Sequence, residues 1–209
     1  MNRPEFSNPA YRIETKRLLI RCYNPSDASM LAESVSESVA HLRPWMPWAH
    51  AEPEPLDAKV QRLKRFRGLF DLGQDFIYGI FNPENTKLLG GTGLHTRLGN
   101  NELEIGYWIH KDYVNQGLVT ESTAALIKVA FALIQVHRIE IHCDPANTAS
   151  AAIPRKLGFT HEGTLRAKTP FLEGWSDSMI WGLLNTDYPE SLSSKAEIKV
   201  FDADGQQVL

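Results

Sequence analysis

Two stretches of the chain hold residues whose types and order suit chemistry. In Leu103–Phe131 (LEIGYWIHKDYVNQGLVTESTAALIKVAF) a strand pattern ends at His110 and a polar loop with one glycine follows. A helix then begins near Thr120, which can cap it. The amides of Gly117, Leu118, Val119 and Thr120 would leave that helix end unpaired, where the helix dipole also favours negative charge. A phosphate or diphosphate is the natural guest, although any capped helix offers the same geometry. The second stretch, His142–Phe159 (HCDPANTASAAIPRKLGF), overlaps the end of a buried strand, Arg138–Cys143. Its Asn147 and Ser150 stand three apart and share one face at a helix start. By spacing alone they read first as a helix cap.

These stretches need a frame. Arg17–Asn24 (RLLIRCYN) is an apolar run of strand formers behind a polar arm, and Pro25-Ser26-Asp27 starts a helix over Ala28–Val39. His41–His50 (HLRPWMPWAH) breaks that pattern with two prolines and two tryptophans. Leu56–Leu72 then resumes a helical period through Val60, Leu63, Phe66, Leu69 and Phe70. Strand periodicity follows in Asp75–Phe81, Lys87–Leu98 and Asn101–His110, parted by Asn82-Pro83 and Gly99-Asn100-Asn101. Thr120–Gln135 is the strongest helical pattern, with Ala124, Ile127, Phe131 and Ile134 on one face. Asn147–Leu157 is a shorter helix closed by Gly158 in a left-handed position. Phe159–Arg166 and Trp175–Leu184 complete a strand pair. Ser191–Ser194 reads as a linker, and Glu197–Leu209 as a hairpin around Asp204-Gly205 or as a frayed end. This order predicts a mixed α+β fold, a central sheet with helices on both faces.

Composition narrows the function classes. Twenty-two basic and 25 acidic residues give a net charge of -3, which argues against a nucleic-acid binder working by bulk charge. No apolar run is long enough to span a bilayer, and Met1–Ala10 lacks the apolar core of a signal peptide. Cys22 and Cys143 fit no zinc or redox spacing, and His95, His110, His137, His142 and His161 suggest no metal site. The expectation is a cytoplasmic protein without a metal.

Taken together, the motifs resemble the GNAT superfamily of N-acetyltransferases, and within it the RimJ/RimL-type enzymes that modify ribosomal-protein N-termini. The resemblance is carried in order by TKRLLIR (15–21), LRPWMPW (42–48), GGTGL (90–94), LEIGYWI (103–109), NQGLVTES (115–122), DPANTAS (144–150) and KLGFTHEGTLR (156–166). It implies an arm over 1–10, a GNAT domain over 11–188 and a tail over 189–209. The implied fold is a three-layer α/β/α arrangement around a mixed, mostly antiparallel sheet. In it the strand Glu104–Ile109 splays from Arg138–Cys143, and acetyl-CoA lies in the gap.

The resemblance also implies roles. Tyr107, Trp108 and Ile109 would meet the pantetheine, and an amide of Trp108 or Ile109 would polarise the thioester carbonyl. Asn115, Gln116, Gly117, Leu118, Val119 and Thr120 would hold the diphosphate; Asn147 would hold the pantetheine and Ser150 would lie near the sulfur. Arg43, Trp45 and Trp48 fall where relatives build part of the acceptor wall, or else they plug a loop. The sequence departs from the family pattern at Val114, where Arg or Gln is common, and at Val119, where Gly or Ala is common. No carboxylate stands at Thr169-Pro170, ahead of PheLeuGluGly (171–174), where relatives often carry a proposed base.

Acyl transfer needs a neutral amine, a polarised carbonyl and a proton for the thiolate. An α-amine, with a pKa near 7.8, is about one quarter neutral at a pH of about 7.4, against about one in a thousand for lysine. A protein or peptide N-terminus therefore asks least of a base. Glu104 and Glu102 are the candidate bases, and Ser150 the candidate donor to the sulfur. Cys143 reads as a buried apolar filler more readily than as an acyl carrier. Rival readings are acetylation of a small amine such as an antibiotic, an aminoacyl-nucleotide or a polyamine, and a silent acyl-CoA sensor. An edge strand or the tail offers a route to a homodimer.

Overall fold

A computed structural model describes residues 9–171 and 174–209, so most of the expected arm, and part of the segment after Thr169-Pro170, lie outside the described residues. The first half of the chain holds β1 (Arg12–Glu14), β2 (Leu19–Cys22), α1 (Ala28–Leu42), α2 (Leu56–Asp71), β3 (Phe76–Phe81) and β4 (Leu88–Gly99). The second half holds β5 (Glu102–Ile109), α3 (Leu118–Lys128), β6 (Arg138–Cys143), α4 (Thr148–Leu157), β7 (Thr160–Phe171), β8 (Gly174–Leu184) and β9 (Lys199–Phe201). The strands form one sheet in the order β7-β8-β6-β5-β4-β3-β2-β1-β9. Pairing is antiparallel except between β5 and β6, which run parallel.

Strand alternation sorts the apolar side chains onto two faces. Phe76, Tyr78 and Ile80 of β3 join the larger core with Leu126 and Ile127 of α3 and Ala151 and Leu157 of α4. Ile77 and Phe81, on the other face, meet Leu31 and Val35 of α1 and Leu63 of α2. Helices thus cover both faces, as the element order implied. Glycines in β4 keep one face bare. A Cβ at Gly91 would fall 2.4 Å from Trp108 Nε1, and one at Gly93 would fall 2.8 Å from His95. The GGTGL motif is therefore the floor on which Trp108 and His95 lie.

Three expectations are corrected. The third helix starts at Leu118, two residues before Thr120, with Gly117 as its cap residue at φ 74. Its far end changes to a π-helical turn over Val129–Ile134 before Gln135 turns left-handed. A short strand, β1, joins the sheet where none was expected; β9 forms in the tail that read as a hairpin or a frayed end, pairing with β1 while Val200 exchanges backbone bonds with Val208 and Leu209. Gly158 closes α4 at φ 86, as its position predicted.

Candidate active site

The parallel pair β5–β6 is short. Register extends only from Glu102–Arg138 to Glu104–Glu140, after which the strands part. His110 donates its backbone amide to Leu89, which fixes the alternation of β5 against β4. Trp108 and Gly106 therefore turn their amides toward β4, whereas Ile105, Tyr107 and Ile109 turn theirs toward β6, and beyond the last pair, Glu104–Glu140, those of Tyr107 and Ile109 open into the gap. Of the two amides expected to polarise a carbonyl, that of Ile109 faces the gap and that of Trp108 does not; the amide of Tyr107, expected to meet the pantetheine, shares the orientation of Ile109.

A helix end faces the gap. Asn115 and Gly117 both adopt left-handed backbone, at φ 59 and φ 74, and so bend the loop into the first turn of α3. No side chain caps that turn, which leaves the amides of Leu118, Val119 and Thr120 aimed outward. Val119 and Val114 pack their side chains against the core, so neither valine closes this end. Behind the loop, Arg17 donates from Nη1 to Gln116 O at 2.9 Å and from Nε to Glu121 Oε2 at 2.6 Å. Thr15 Oγ1 donates to Glu121 Oε1 at 2.6 Å. The TKRLLIR motif thus braces the anion loop from beneath. The brace also satisfies the Glu121 carboxylate, which would otherwise compete with an incoming anion for the helix end.

At the start of α4, Asn147 Oδ1 accepts from the Ser150 amide at 3.1 Å, the cap that spacing alone favoured. Ser150 Oγ lies 3.2 Å from the Tyr107 hydroxyl. Burial keeps that phenol protonated far above the usual tyrosine range, although its contact with Ser150 works the other way. The pair therefore holds a proton at the gap throughout neutral pH.

Two cavities meet at these residues. One of about 370 Å³ lies between Val114–Thr120, α4 and the end of α1. The other, about 910 Å³, opens between the α1–α2 loop and the β7–β8 hairpin. Tyr107, Trp108, Asn147, Ser150 and Trp45 border both. The first suits a diphosphate and a slender chain, and the second suits an acceptor. Trp48 borders the larger cavity and meets Trp108 edge-on, ring centroids 6.0 Å apart.

Other expected residues lie elsewhere or are occupied. Arg43 borders neither cavity; its Nη2 donates to Glu52 O at 3.0 Å and it ties down the loop. Glu102 borders neither cavity. Glu104 borders the larger one but accepts from two nitrogens of Arg97, Nη2 and, at 2.7 Å, Nε. Burial works against its charge, yet Arg97 outweighs burial and holds the carboxyl below the ordinary range. That leaves Glu104 a weak proton acceptor. Cys143 is buried, and burial raises its thiol, consistent with a filler.

The acetyltransferase (GNAT) domain model matches residues 17–160. The chain belongs to the GNAT acetyltransferase family. Among curated relatives, the ribosomal protein uS5-alanine N-acetyltransferase of Escherichia coli is 26% identical over 86% of this chain and 94% of its own. The N-acetyltransferase YnaD of Bacillus subtilis is 27% identical over 84% and 98%. Among solved structures, RimL, a ribosomal L7/L12 α-N-protein acetyltransferase in complex with coenzyme A, aligns at a TM-score of 0.75. It is 22% identical and covers 81% of this chain and 95% of that one. The ribosomal-protein-S5-alanine acetyltransferase of Vibrio fischeri aligns at 0.73, with 23% identity over 85% and 98%. As a GNAT acetyltransferase the chain uses acetyl-CoA as its acyl donor. The uncapped turn, the amides in the gap and the smaller cavity fit that donor. Among the described residues no helix is long and apolar enough to cross a membrane.

Proposed function

We propose that this GNAT enzyme acetylates the α-amine at a protein or peptide N-terminus by direct attack, in the cytoplasm, with a ribosomal protein as the natural class of acceptor. The observation that carries this reading is the junction of the two cavities at Tyr107 and Ser150. A chain end entering the larger cavity reaches the gap amine-first, with Trp45 and Trp48 beside its backbone. The relatives that act on ribosomal-protein N-termini favour the same acceptor. A polyamine fits less well, because the cavity carboxylates are occupied. Arg97 takes Glu104, the Ala167 amide donates to Asp177, and Ser176 and the Ala146 amide donate to Asp144.

Bound acetyl-CoA supplies a thioester. Leu118, Val119 and Thr120 receive the diphosphate with their amides, and Asn147 borders the pantetheine path. Of the gap-facing amides of Tyr107 and Ile109, about 7 Å apart along the strand, one would stabilise the charge that develops on the acyl oxygen and the other would meet the pantetheine. Ser150, backed by Tyr107, gives its proton to the departing sulfur.

The test measures free CoA thiol released with a short peptide bearing a free N-terminal Ser or Ala. Its control is the same peptide with the α-amine blocked and a lysine left free. Turnover with the first alone is expected; turnover with neither would overturn the peptide acceptor. Acetyl-CoA at about 100 times its Kd should stabilise the protein by about 2.7 kcal/mol, which checks the donor site separately.

A further inference from the structure

We propose that His142 is the proton acceptor for the attacking amine, oriented by Glu140 and set on the wall of the acceptor cavity where β6 leaves β5. The proposal rests on the reading that this site acetylates an amine.

His142 Nε2 lies 2.6 Å from Glu140 Oε2. A carboxylate accepts, so Nε2 carries the ring proton and Nδ1 presents its lone pair. His142 borders the acceptor cavity, and its Nδ1 lies 3.8 Å from Glu104 Oε2 across the split between the strands. Glu140 is fixed in turn by Arg138, at 2.8 Å. The imidazole thus has a defined tautomer and a defined direction, as a general base requires.

The neighbouring groups are already committed. From β4, Arg97 binds Glu104, and His95, which also borders the cavity, is held at Nδ1 by Asp75 at 3.0 Å. From the loop after β6, Asp144 accepts from the Ala146 amide and Ser176; from β8, Asp177 accepts from the Ala167 amide. Lys168 of β7 and Arg62 of α2, the latter bonded to Glu54 at 2.6 Å, complete the charged rim. Among the described residues that border this cavity, two imidazole nitrogens present a lone pair without a donor, His95 Nε2 and His142 Nδ1, and of the two His142 stands on the strand that parts from β5.

In the step, the amine nitrogen bonds to the acyl carbon and passes its proton to His142 Nδ1, while the carbon–sulfur bond breaks and Ser150 Oγ protonates the thiolate. The imidazolium then stands between Glu140 and Glu104 and releases its proton to solvent through the cavity mouth, and Ser150 takes a proton back from solvent, which restores both groups.

Four variants and one additive test this, with the N-terminal peptide as acceptor: His142→Ala, His142→Gln, Glu140→Gln and Ser150→Ala, with free imidazole. His142→Ala should lower kcat about 100-fold or more with acetyl-CoA affinity unchanged, and imidazole should restore part of it. Glu140→Gln should shift the acid limb of the kcat/KM profile without changing the donor KM, the mark of a positioning residue. Ser150→Ala is the reference: it should lose turnover without rescue by imidazole. A wild-type kcat in His142→Ala and His142→Gln overturns the proposal, as does a loss that imidazole leaves untouched or that matches a loss of acetyl-CoA binding. If wild type itself turns over no amine, the reading of the acceptor fails instead.

Discussion

The Tyr107 hydroxyl stands 3.2 Å from both the backbone oxygen and the Oγ of Ser150, so one phenol ties the first turn of α4 to the free edge of β5. The contact sets where a proton can be delivered. Ser150→Ala should lower kcat about 10- to 100-fold with little change in acceptor KM. Tyr107→Phe should cost about fivefold in kcat, the worth of about one neutral hydrogen bond. Steady-state kinetics on both variants, with peptide and acetyl-CoA varied in turn, check the ordering.

The brace beneath the anion loop should act on the donor alone. Arg17→Ala frees Gln116 O and the Glu121 carboxylate at the helix end. The expected result is a KM for acetyl-CoA raised about 10-fold, while the acceptor KM holds. S-acetyl-pantetheine lacks the diphosphate, so the variant and wild type should use it equally. A defect with both donors would mean that Arg17 supports the fold and not the loop.

Acid should find Glu104. Its carboxyl is held below the ordinary range by Arg97 against the opposing effect of burial. A lowered native pKa contributes stability above the unfolded value, near 4.5, and that contribution is lost as pH falls through the native value. The Tm advantage of wild type over Glu104→Gln should therefore be full at neutral pH and shrink below a pH of about 4.5.

The acceptor wall depends on a buried ion pair. Lys59 and Glu52 are both nearly buried and bonded to each other, next to the carbonyls of Ala49 and Glu52 that Arg43 binds. Lys59→Met leaves Glu52 unpaired and should destabilise by about 3 kcal/mol, read by denaturant unfolding. Below the new Tm, the surviving enzyme should show a raised acceptor KM, because Trp45 and Trp48 hang from this loop, and an unchanged donor KM.

The elements with long periodic patterns were legible from sequence. Leu103–Ile109, Arg138–Cys143 and the helices flanking them fell where apolar spacing placed them. The splayed pair and the anion loop followed from the family resemblance. The short strand Arg12–Glu14 was not legible, since three residues give no period and it is held by β2 and β9 from both sides, whereas Lys199–Phe201 lay in the tail that Asp204-Gly205 marked as a hairpin or a frayed end. At the site, Arg43 looked like a substrate contact because charge beside tryptophan suggests recognition, but local carbonyls take its donors. His142 looked like one scattered histidine. Its direction comes from Glu140 two residues earlier and Glu104 on the parallel strand. Glu140 and His142 are alternate residues of one strand, a signal available in the sequence.

The two cavities joined at Tyr107 and Ser150 also govern the order of traffic. Each substrate has its own entrance, so neither need vacate the protein for the other to enter, and the acetyl group never has to be parked on the enzyme. Initial-rate lines should intersect, and free CoA should inhibit competitively against acetyl-CoA but not against the peptide. The acetylated chain end can back out through the wide mouth while the spent thiol still fills the narrow one.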